Sequence, residues 1–207
     1  VDAVRTITQI AGEYGIEYLT LYSFSSENWN RPESEINELF GLLRFFVRKH
    51  LAELHQNHVR VVTIGDKKGV PDDINRLIGE AVEQTRHNHG LTLVIAFNYG
   101  ARHEIVAAAR MLAHNVKQGI IEPEDITVEM MAQYLQTKEI PDPDLIIRTS
   151  GEKRLSNFLL WQAAYSEFVF TECNWPDFDR QAFMAALDEY HARDRRFGAL
   201  SSIKQGG

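Results

Sequence analysis

The sequence predicts an α/β protein with an open, mostly parallel sheet and helices on both faces. Short apolar runs alternate with longer amphipathic segments, which is the pattern of parallel strands joined by helical crossovers. Two of these runs end abruptly in polar residues, as strands do at the carboxyl edge of such a sheet. The 207 residues, 44% of them hydrophobic, fit a single domain, predicted over residues 1–198 and followed by a flexible tail over 199–207.

The individual elements follow from periodicity and from helix-stopping residues. Apolar residues at helical spacing predict a first helix over 4–11, which Gly12 or Gly15 ends. A continuous apolar run predicts a buried strand over 16–24, and Pro32 begins a long amphipathic helix. The remaining predictions are strands over 59–64, 91–97, 145–148 and 168–170, and helices over 74–87, 103–116, 128–135, 157–164 and 183–193.

The bulk composition excludes several classes of protein. A formal net charge of -7 argues against nucleic-acid binding, which needs a basic surface. No apolar run reaches the roughly 18 residues of a transmembrane helix. The single cysteine, Cys173, excludes an internal disulfide framework and fits a reducing compartment, so we expect a cytoplasmic location.

The segment LTLYSFSSENWNRP at 19–32 is the first candidate site. It begins as a strand and delivers Ser26, Asn28, Trp29 and Arg31 to the edge where ligands bind in parallel sheets. Other interpretations stay open, because Trp29 could simply pack and Asn28 could form a turn. Glu35 follows on the first turn of the long helix, where a carboxylate is favourable without any further role.

The segment DLIIRTSGEKRLS at 144–156 repeats this layout. Arg148 directly follows a short buried strand, and Arg154 and Ser156 follow after a glycine. A solvated loop remains the alternative. Guanidinium groups make bidentate hydrogen bonds to phosphate oxygens, however, so two strand ends that supply arginines and hydroxyls suggest a phosphorylated substrate.

Glu167 is a carboxylate among apolar neighbours at the start of a short predicted strand. Such a group needs a partner, which could be an arginine or a hard cation such as Mg²⁺. The common nucleotide-binding and hydrolase motifs are absent, as is the DDxxD motif for a metal-bound diphosphate. His55 with His58 and His87 with His89 are predicted to be surface residues and not a zinc site.

Taken together, the motifs resemble the cis-prenyltransferase family, the undecaprenyl diphosphate synthases. The resemblance rests on long motifs that occur in the order of the family. These are FSSENWNRP at 24–32, IGD at 64–66, NYGAR at 98–102, LIIRTSGEKRLSNFLLWQ at 145–162, Tyr165 with Glu167, WPDF at 175–178 and RRFG at 195–198.

The resemblance implies a homodimeric transferase that condenses isopentenyl diphosphate with farnesyl diphosphate in the presence of Mg²⁺, with possible peripheral membrane contact for product release. By position, Arg148, Arg154 and Ser156 correspond to the isopentenyl diphosphate site and Glu167 to the metal-site carboxylate. Asn28 corresponds to the residue that assists proton removal. The other implied substrate-binding residues are Ser26, Trp29, Arg31 and Glu35, and Arg196 and Gly198 of the C-terminal RxG motif that reaches across the dimer.

The chain departs from the family in one respect. The N-terminal strand and DGNGRWA-type loop, which in the family supply the catalytic aspartate, are absent from this sequence. We therefore expect this sequence to be truncated at its N-terminus, and we expect the 207-residue chain to be inactive. Two alternatives remain: a non-catalytic subunit of a heteromeric prenyltransferase, and an unrelated phosphate-binding enzyme.

Overall fold

The computed structural model describes residues 2–193 and confirms the predicted fold class: parallel strands covered by helices. Arg196, Gly198 and the tail predicted over 199–207 lie outside the described residues. The helices are α1 (Asp2–Glu13), α2 (Glu33–Gln56), α3 (Asp72–Thr85), α4 (Ala101–Lys117), α5 (Val128–Gln133) and α6 (Arg180–His191), and the strands are β1 (Tyr18–Ser25), β2 (Arg60–Ile64), β3 (Thr92–Tyr99), β4 (Leu145–Arg148) and β5 (Glu167–Phe170).

The strands form two separate parallel sheets in the described part of the chain. The first has the order β1-β3-β2, and the second pairs β4 with β5. The free edges of β1 and β4 line the same large cavity, because every residue of β4 and residues 18–24 of β1 contribute to its wall. The predicted sheet is therefore interrupted at this point by a gap with a strand edge on either side.

The central strand β3 is buried on both faces, which explains its nearly unbroken apolar sequence. On one face, Leu93 packs in a cluster with residues of α1, α6 and the end of α2. On the other face, Val94 and Ala96 pack with Ala101 at the start of α4 and with Leu159. A third cluster joins the end of β3 to α2 and α3 through Phe97 and Phe40.

Residues 157–164, predicted to be a short helix, form a turn followed by the 3₁₀ helix Gln162–Tyr165. The prediction was wrong here because Ser156, Asn157 and Leu159 have φ angles of 51°, 63° and 43°. These left-handed conformations cannot be part of a right-handed helix.

Candidate active site

The carboxyl ends of β1 and β3 lie side by side, with Ser25 in register with Tyr99. After β1 the chain turns into a short 3₁₀ helix, Ser26–Asn30. The Oδ1 atom of Asn28 accepts a hydrogen bond from the backbone N–H of Ser25 at 2.8 Å, so the side chain of Asn28 closes this turn. The turn that the sequence suggested for Asn28 is therefore present.

Trp29 is anchored to the end of β3. Its indole Nε1 donates a hydrogen bond to Oδ1 of Asn98 at 2.8 Å, and its ring makes edge contacts with Phe24 and Phe40. The amide of Asn98 in turn donates to the backbone oxygen of Asp66 at 2.7 Å. Trp29 therefore packs against neighbouring aromatic residues, as the sequence allowed, and 36% of the residue remains exposed.

This edge of the sheet also depends on a close approach of backbone atoms at Gly65, after β2. Gly65 has a φ angle of +124°, and a Cβ atom there would lie only 1.8 Å from the backbone oxygen of Phe97. Only glycine fits such a position. The IGD motif therefore has a structural cause, since it brings the loop after β2 against the end of β3.

A cavity of about 1300 Å³ opens beside these strand ends, and its chemistry is divided. Three arginines contribute to its lining: Arg31, Arg148 and Arg154. A second part of the lining is apolar and comes from α2, β1 and β3, through Leu39, Leu43, Phe46, Leu21 and Ile95. The cavity therefore suits a ligand that combines an anionic group with an apolar body.

The cavity is also polarised along the strands. Asp142 and Asp144 line it just before β4 begins, whereas Arg148 ends that strand. Burial raises the pKa of Asp142 above its ordinary range. Anionic groups are consequently favoured at the carboxyl edge, where the arginines are, and disfavoured at the amino edge.

Arg148 and Arg154 line the same cavity, as predicted, but in different environments. Arg148 is half-buried at the end of β4, opposite Phe170 of β5. Its charge also reaches the phenol of Tyr22: burial raises the pKa of Tyr22 to about 12, and Arg148 acts in the opposite direction. The side chain of Arg154 is 66% exposed and forms an ion pair with Glu152.

Arg31 and Glu35 form a long ion pair of 3.8 Å between side chains that are about half exposed. Arg31 contributes to the cavity wall, whereas Glu35 does not. An exposed pair of this kind contributes little stability and can open at small cost. Arg31 is therefore available to a ligand.

Ser156 is exposed and does not line the cavity, although Leu155 beside it does. Its backbone oxygen lies 3.5 Å from the hydroxyl of Tyr22, whose ring stacks on Phe158 at 4.6 Å. Ser26, on the neighbouring 3₁₀ turn, approaches Nδ1 of His103 with its hydroxyl at 3.4 Å. Neither of the two predicted serines therefore lines the cavity.

Glu167 does not join this group within one chain. It is in register with Leu145 at the beginning of β4, three residues from Arg148, which corresponds to about 10 Å along the strand. Arg193 donates a hydrogen bond to its carboxylate at 2.9 Å. The arginine partner that the sequence left open is therefore present.

The described residues 2–193 contain no group of three or more potential metal ligands. Since Glu167 is also paired with Arg193 and lies away from Arg148, residues 2–193 of one chain do not assemble a Mg²⁺ site next to the arginines. We assign no step to a metal ion for this reason.

Several residues that shape the site were missed from the sequence. Asn157 bonds to the side chain of Glu27 and to the start of α4, and Tyr22 joins β1 to the turn at Ser156. Below them, the buried carboxylate of Glu104 accepts hydrogen bonds from the hydroxyl of Tyr99 and from the side-chain amide of Gln162. Spacing gives no signal for such contacts, because the partners are distant in sequence.

The fold and cavity define a class of α/β protein in which a cavity beside the strands of a parallel sheet combines arginines with an apolar wall. Comparisons with known proteins identify the family. The sequence profile described as "Putative undecaprenyl diphosphate synthase" matches residues 1–198. An isoprenyl transferase from Agrobacterium fabrum is 58% identical over 201 residues, which is 97% of this chain and 81% of that protein.

Two solved structures are similar throughout. Lavandulyl diphosphate synthase from Lavandula x intermedia, in complex with dimethylallyl diphosphate, superposes with a TM-score of 0.92 at 37% identity, covering 95% of this chain and 85% of that one. A probable undecaprenyl diphosphate synthase from Campylobacter jejuni has a TM-score of 0.84 at 34% identity, covering 95% and 90%. The chain belongs to the undecaprenyl diphosphate synthase family of isoprenyl transferases.

Proposed function

We propose that this protein elongates farnesyl diphosphate by condensing it with isopentenyl diphosphate units in cis, to give a long polyprenyl diphosphate that serves as a precursor of a cell-wall lipid carrier. The observation that carries the proposal is the divided cavity, with arginines at the carboxyl edge and an apolar wall on α2. A prenyl diphosphate has the same two parts. A non-catalytic subunit would not need this combination.

In the proposed reaction, the bond between the allylic carbon and its diphosphate oxygen breaks, and the double bond of isopentenyl diphosphate supplies the electrons for the new carbon–carbon bond. A proton then leaves C2 of the isopentenyl unit. Negative charge grows on the departing diphosphate, so fixed guanidinium groups lower the barrier most when they face those oxygens. Of the arginines that line the cavity, Arg31 is proposed to face those oxygens, whereas Arg148 and Arg154 are proposed to bind the diphosphate of isopentenyl diphosphate, which stays on the product.

Asn28 is proposed to orient the reacting groups during proton removal. A carboxamide is not a base, so the proton passes to water or to the released diphosphate. Trp29, Ser26 and Glu35 are proposed to contact substrate on the same side. Mg²⁺ dependence remains a prediction from the family: activity should disappear with EDTA and return with excess Mg²⁺.

The apolar wall should determine product length. Leu43→Trp places a larger side chain against the cavity, so labelled product should shorten while the first condensation continues. Leu77→Trp on α3 is the matched control, because Leu77 does not line this cavity. Unchanged product length in Leu43→Trp would show that the growing chain lies elsewhere.

We also propose a homodimer. Eight of the large apolar side chains exposed in the described residues lie between 106 and 170, among them Val106 and Met111 on α4. Charged substitutions there, Val106→Glu and Met111→Glu, should convert a dimer to a monomer by light scattering, whereas Gln84→Glu on α3 should not. A wild-type monomer at micromolar concentration would refute the dimer.

Peripheral membrane contact is proposed for the outer face of α2. Leu42 and Phe45 are each 52% exposed there, beside the exposed cations Arg48 and Lys49, and the ammonium of Lys49 lies 5.1 Å from the ring of Phe45. Leu42 also lines the cavity, so the apolar surface is continuous with it. No helix of residues 2–193 is long and apolar enough to cross a membrane.

This surface suits anionic phospholipid at the cytoplasmic face of a membrane, because apolar side chains can enter the interface while cations meet the headgroups. Flotation with phosphatidylglycerol vesicles should be lost in Phe45→Glu and in Arg48→Glu and retained in Arg110→Glu on α4. Equal flotation of all three variants would exclude this face, and equal binding to phosphatidylcholine would exclude the electrostatic part.

A further inference from the structure

Asn157 connects three separate parts of the site. Its side-chain Nδ2 donates a hydrogen bond to Oε1 of Glu27 on the 3₁₀ turn at 2.7 Å. Its Oδ1 accepts from the backbone N–H of Arg102 at 2.9 Å, and its backbone oxygen accepts from the N–H of Ala101 at 2.9 Å. The turn that follows Arg154 is therefore bonded both to the segment that carries Asn28 and to the first turn of α4.

The backbone around Asn157 is held in an unfavourable conformation. Asn157 has a φ angle of 63°, and its neighbours Ser156 and Leu159 have φ angles of 51° and 43°. Asparagine tolerates this region better than most residues, but serine and leucine rarely adopt it. Such a cluster persists only when the surrounding contacts impose it, and it is typical of functional segments.

The junction of these three segments, namely the 3₁₀ turn of Glu27, the turn of Asn157 and the start of α4, is also closely packed. A Cβ atom at Gly100 would lie 2.4 Å from Oγ of Ser26 and 2.7 Å from Nδ2 of Asn157. The charge state of Glu27 is fixed as well. Burial alone would raise the pKa of Glu27, but the hydrogen bond from Asn157, together with bonds from its own backbone and from nearby serines, lowers it overall. Glu27 therefore accepts hydrogen bonds as a carboxylate.

We infer that Asn157 is a positioning residue for prenyl transfer, which sets the distance between the segment of Asn28 and the turn of Arg154 and Ser156. The inference rests on the proposed function. Asparagine combines the three properties that the junction needs, namely a donor toward Glu27, an acceptor toward the start of α4 and a tolerance of left-handed backbone. Aspartate lacks the donor, and alanine lacks both polar groups.

The first test separates hydrogen bonding from backbone strain. Asn157→Gly keeps the left-handed conformation without strain and removes only the side-chain bonds. We expect kcat to fall by roughly 100-fold, the effect of a misplacement of about 1 Å, with KM for isopentenyl diphosphate raised. The matched control is His58→Gly, which replaces an exposed residue that also has a left-handed backbone, with a φ angle of 56°, and that does not line the cavity.

The second test uses charge. Asn157→Asp opposes two carboxylates, so its activity relative to wild type should rise as the pH falls and the pair takes up a shared proton. The other titratable or charged groups that face the junction, His103, Arg102 and Tyr22, are common to both proteins, and the ratio removes their contribution. The double variant Asn157→Asp/Glu27→Gln restores one donor and one acceptor and should recover most of the activity.

The inference is overturned if Asn157→Gly has wild-type kcat and KM, if it loses no more activity than His58→Gly, or if the Asp variant has no pH-dependent ratio and no rescue. Inactivity of the wild-type protein, expressed from its full-length gene, toward every isoprenoid diphosphate pair would instead contradict the proposed function. The two failures are therefore distinguishable in the same set of assays.

Discussion

Replacing Arg148 tests the part of the cavity that is assigned to the diphosphate. Arg148→Ala removes a guanidinium that is half-buried at the end of β4. Each hydrogen bond between charged groups contributes about 1.5–3 kcal/mol, and two such bonds to one diphosphate are not fully additive. We therefore expect a loss of about 2–4 kcal/mol in transition-state stabilisation, or roughly 30- to 1000-fold in kcat/KM.

The structure also predicts a ranking of the two arginines. The side chain of Arg154 is 66% exposed and already paired with Glu152, so solvent and the competing carboxylate weaken its interaction with a ligand. Arg154→Ala should consequently cost less than Arg148→Ala, at about 1–2 kcal/mol. Arg148→Lys should recover only part of the activity, because an ammonium cannot replace the bidentate geometry of a guanidinium.

The assay is steady-state incorporation of labelled isopentenyl diphosphate, with Arg110→Ala on α4 as a control for the loss of one positive charge. Thermal melting of each variant would separate a loss of activity from a loss of folding. Wild-type kinetics in Arg148→Ala, or a larger effect of Arg154→Ala, would refute the assignment of the half-buried Arg148 to the diphosphate of isopentenyl diphosphate.

Three further predictions concern stability and assembly. Thr85→Val should lower the free energy of unfolding by about 1–3 kcal/mol in urea denaturation, because the fully buried Thr85 hydroxyl accepts from the N–H of Val61 at 2.9 Å. The hydrogen bond from Arg5 lowers the pKa of Glu53. This contribution is present above the ordinary glutamate pKa of about 4.3 and is lost as the pH falls through the lowered value, so the difference in urea midpoint between wild type and Glu53→Gln should shrink on acidification. Deleting residues 195–207 should abolish incorporation of labelled isopentenyl diphosphate without altering the circular dichroism spectrum. Full activity after the deletion would show that Arg196 and Gly198 are not needed at the partner's site.

The sequence was most informative where a strand meets polar residues. An apolar run followed at once by SSENWNR or by RTSGEKR predicts a strand and a polar segment at its end, and the structure has β1 and β4 at these places. The prediction that these strands are buried was wrong, because most of their residues are half-buried. Periodicity also predicted α2 correctly from its apolar stripe. These features are local, because they depend on residues within one or two helical turns of each other.

The sequence could not separate the cavity wall from the core. Among the apolar residues of α2 and β3, Leu39, Leu43 and Phe46 line the cavity, whereas Phe40 and Leu93 are buried in the core. All five are apolar residues with regular spacing, so only the packing of α2 against the sheet distinguishes them.

Long-range hydrogen bonds could not be predicted from the sequence either. Asn157 and Glu27 are 130 residues apart, and the apolar residues after Asn157 favoured a helix over 157–164. The left-handed backbone there depends on contacts with α4 and with the 3₁₀ turn. Local helix propensity does not include those contacts. Both the turn and the role of Asn157 could therefore be recognised only from the structure.

Chain elongation itself gives the most direct test of this account. The protein, expressed from its full-length gene, would be incubated with farnesyl diphosphate, labelled isopentenyl diphosphate and Mg²⁺, and the butanol-extractable product would be measured by length. We predict that label accumulates in long polyprenyl products and that Arg148→Ala suppresses this accumulation. Absence of any extractable labelled product from the protein expressed from its full-length gene would contradict the proposed function.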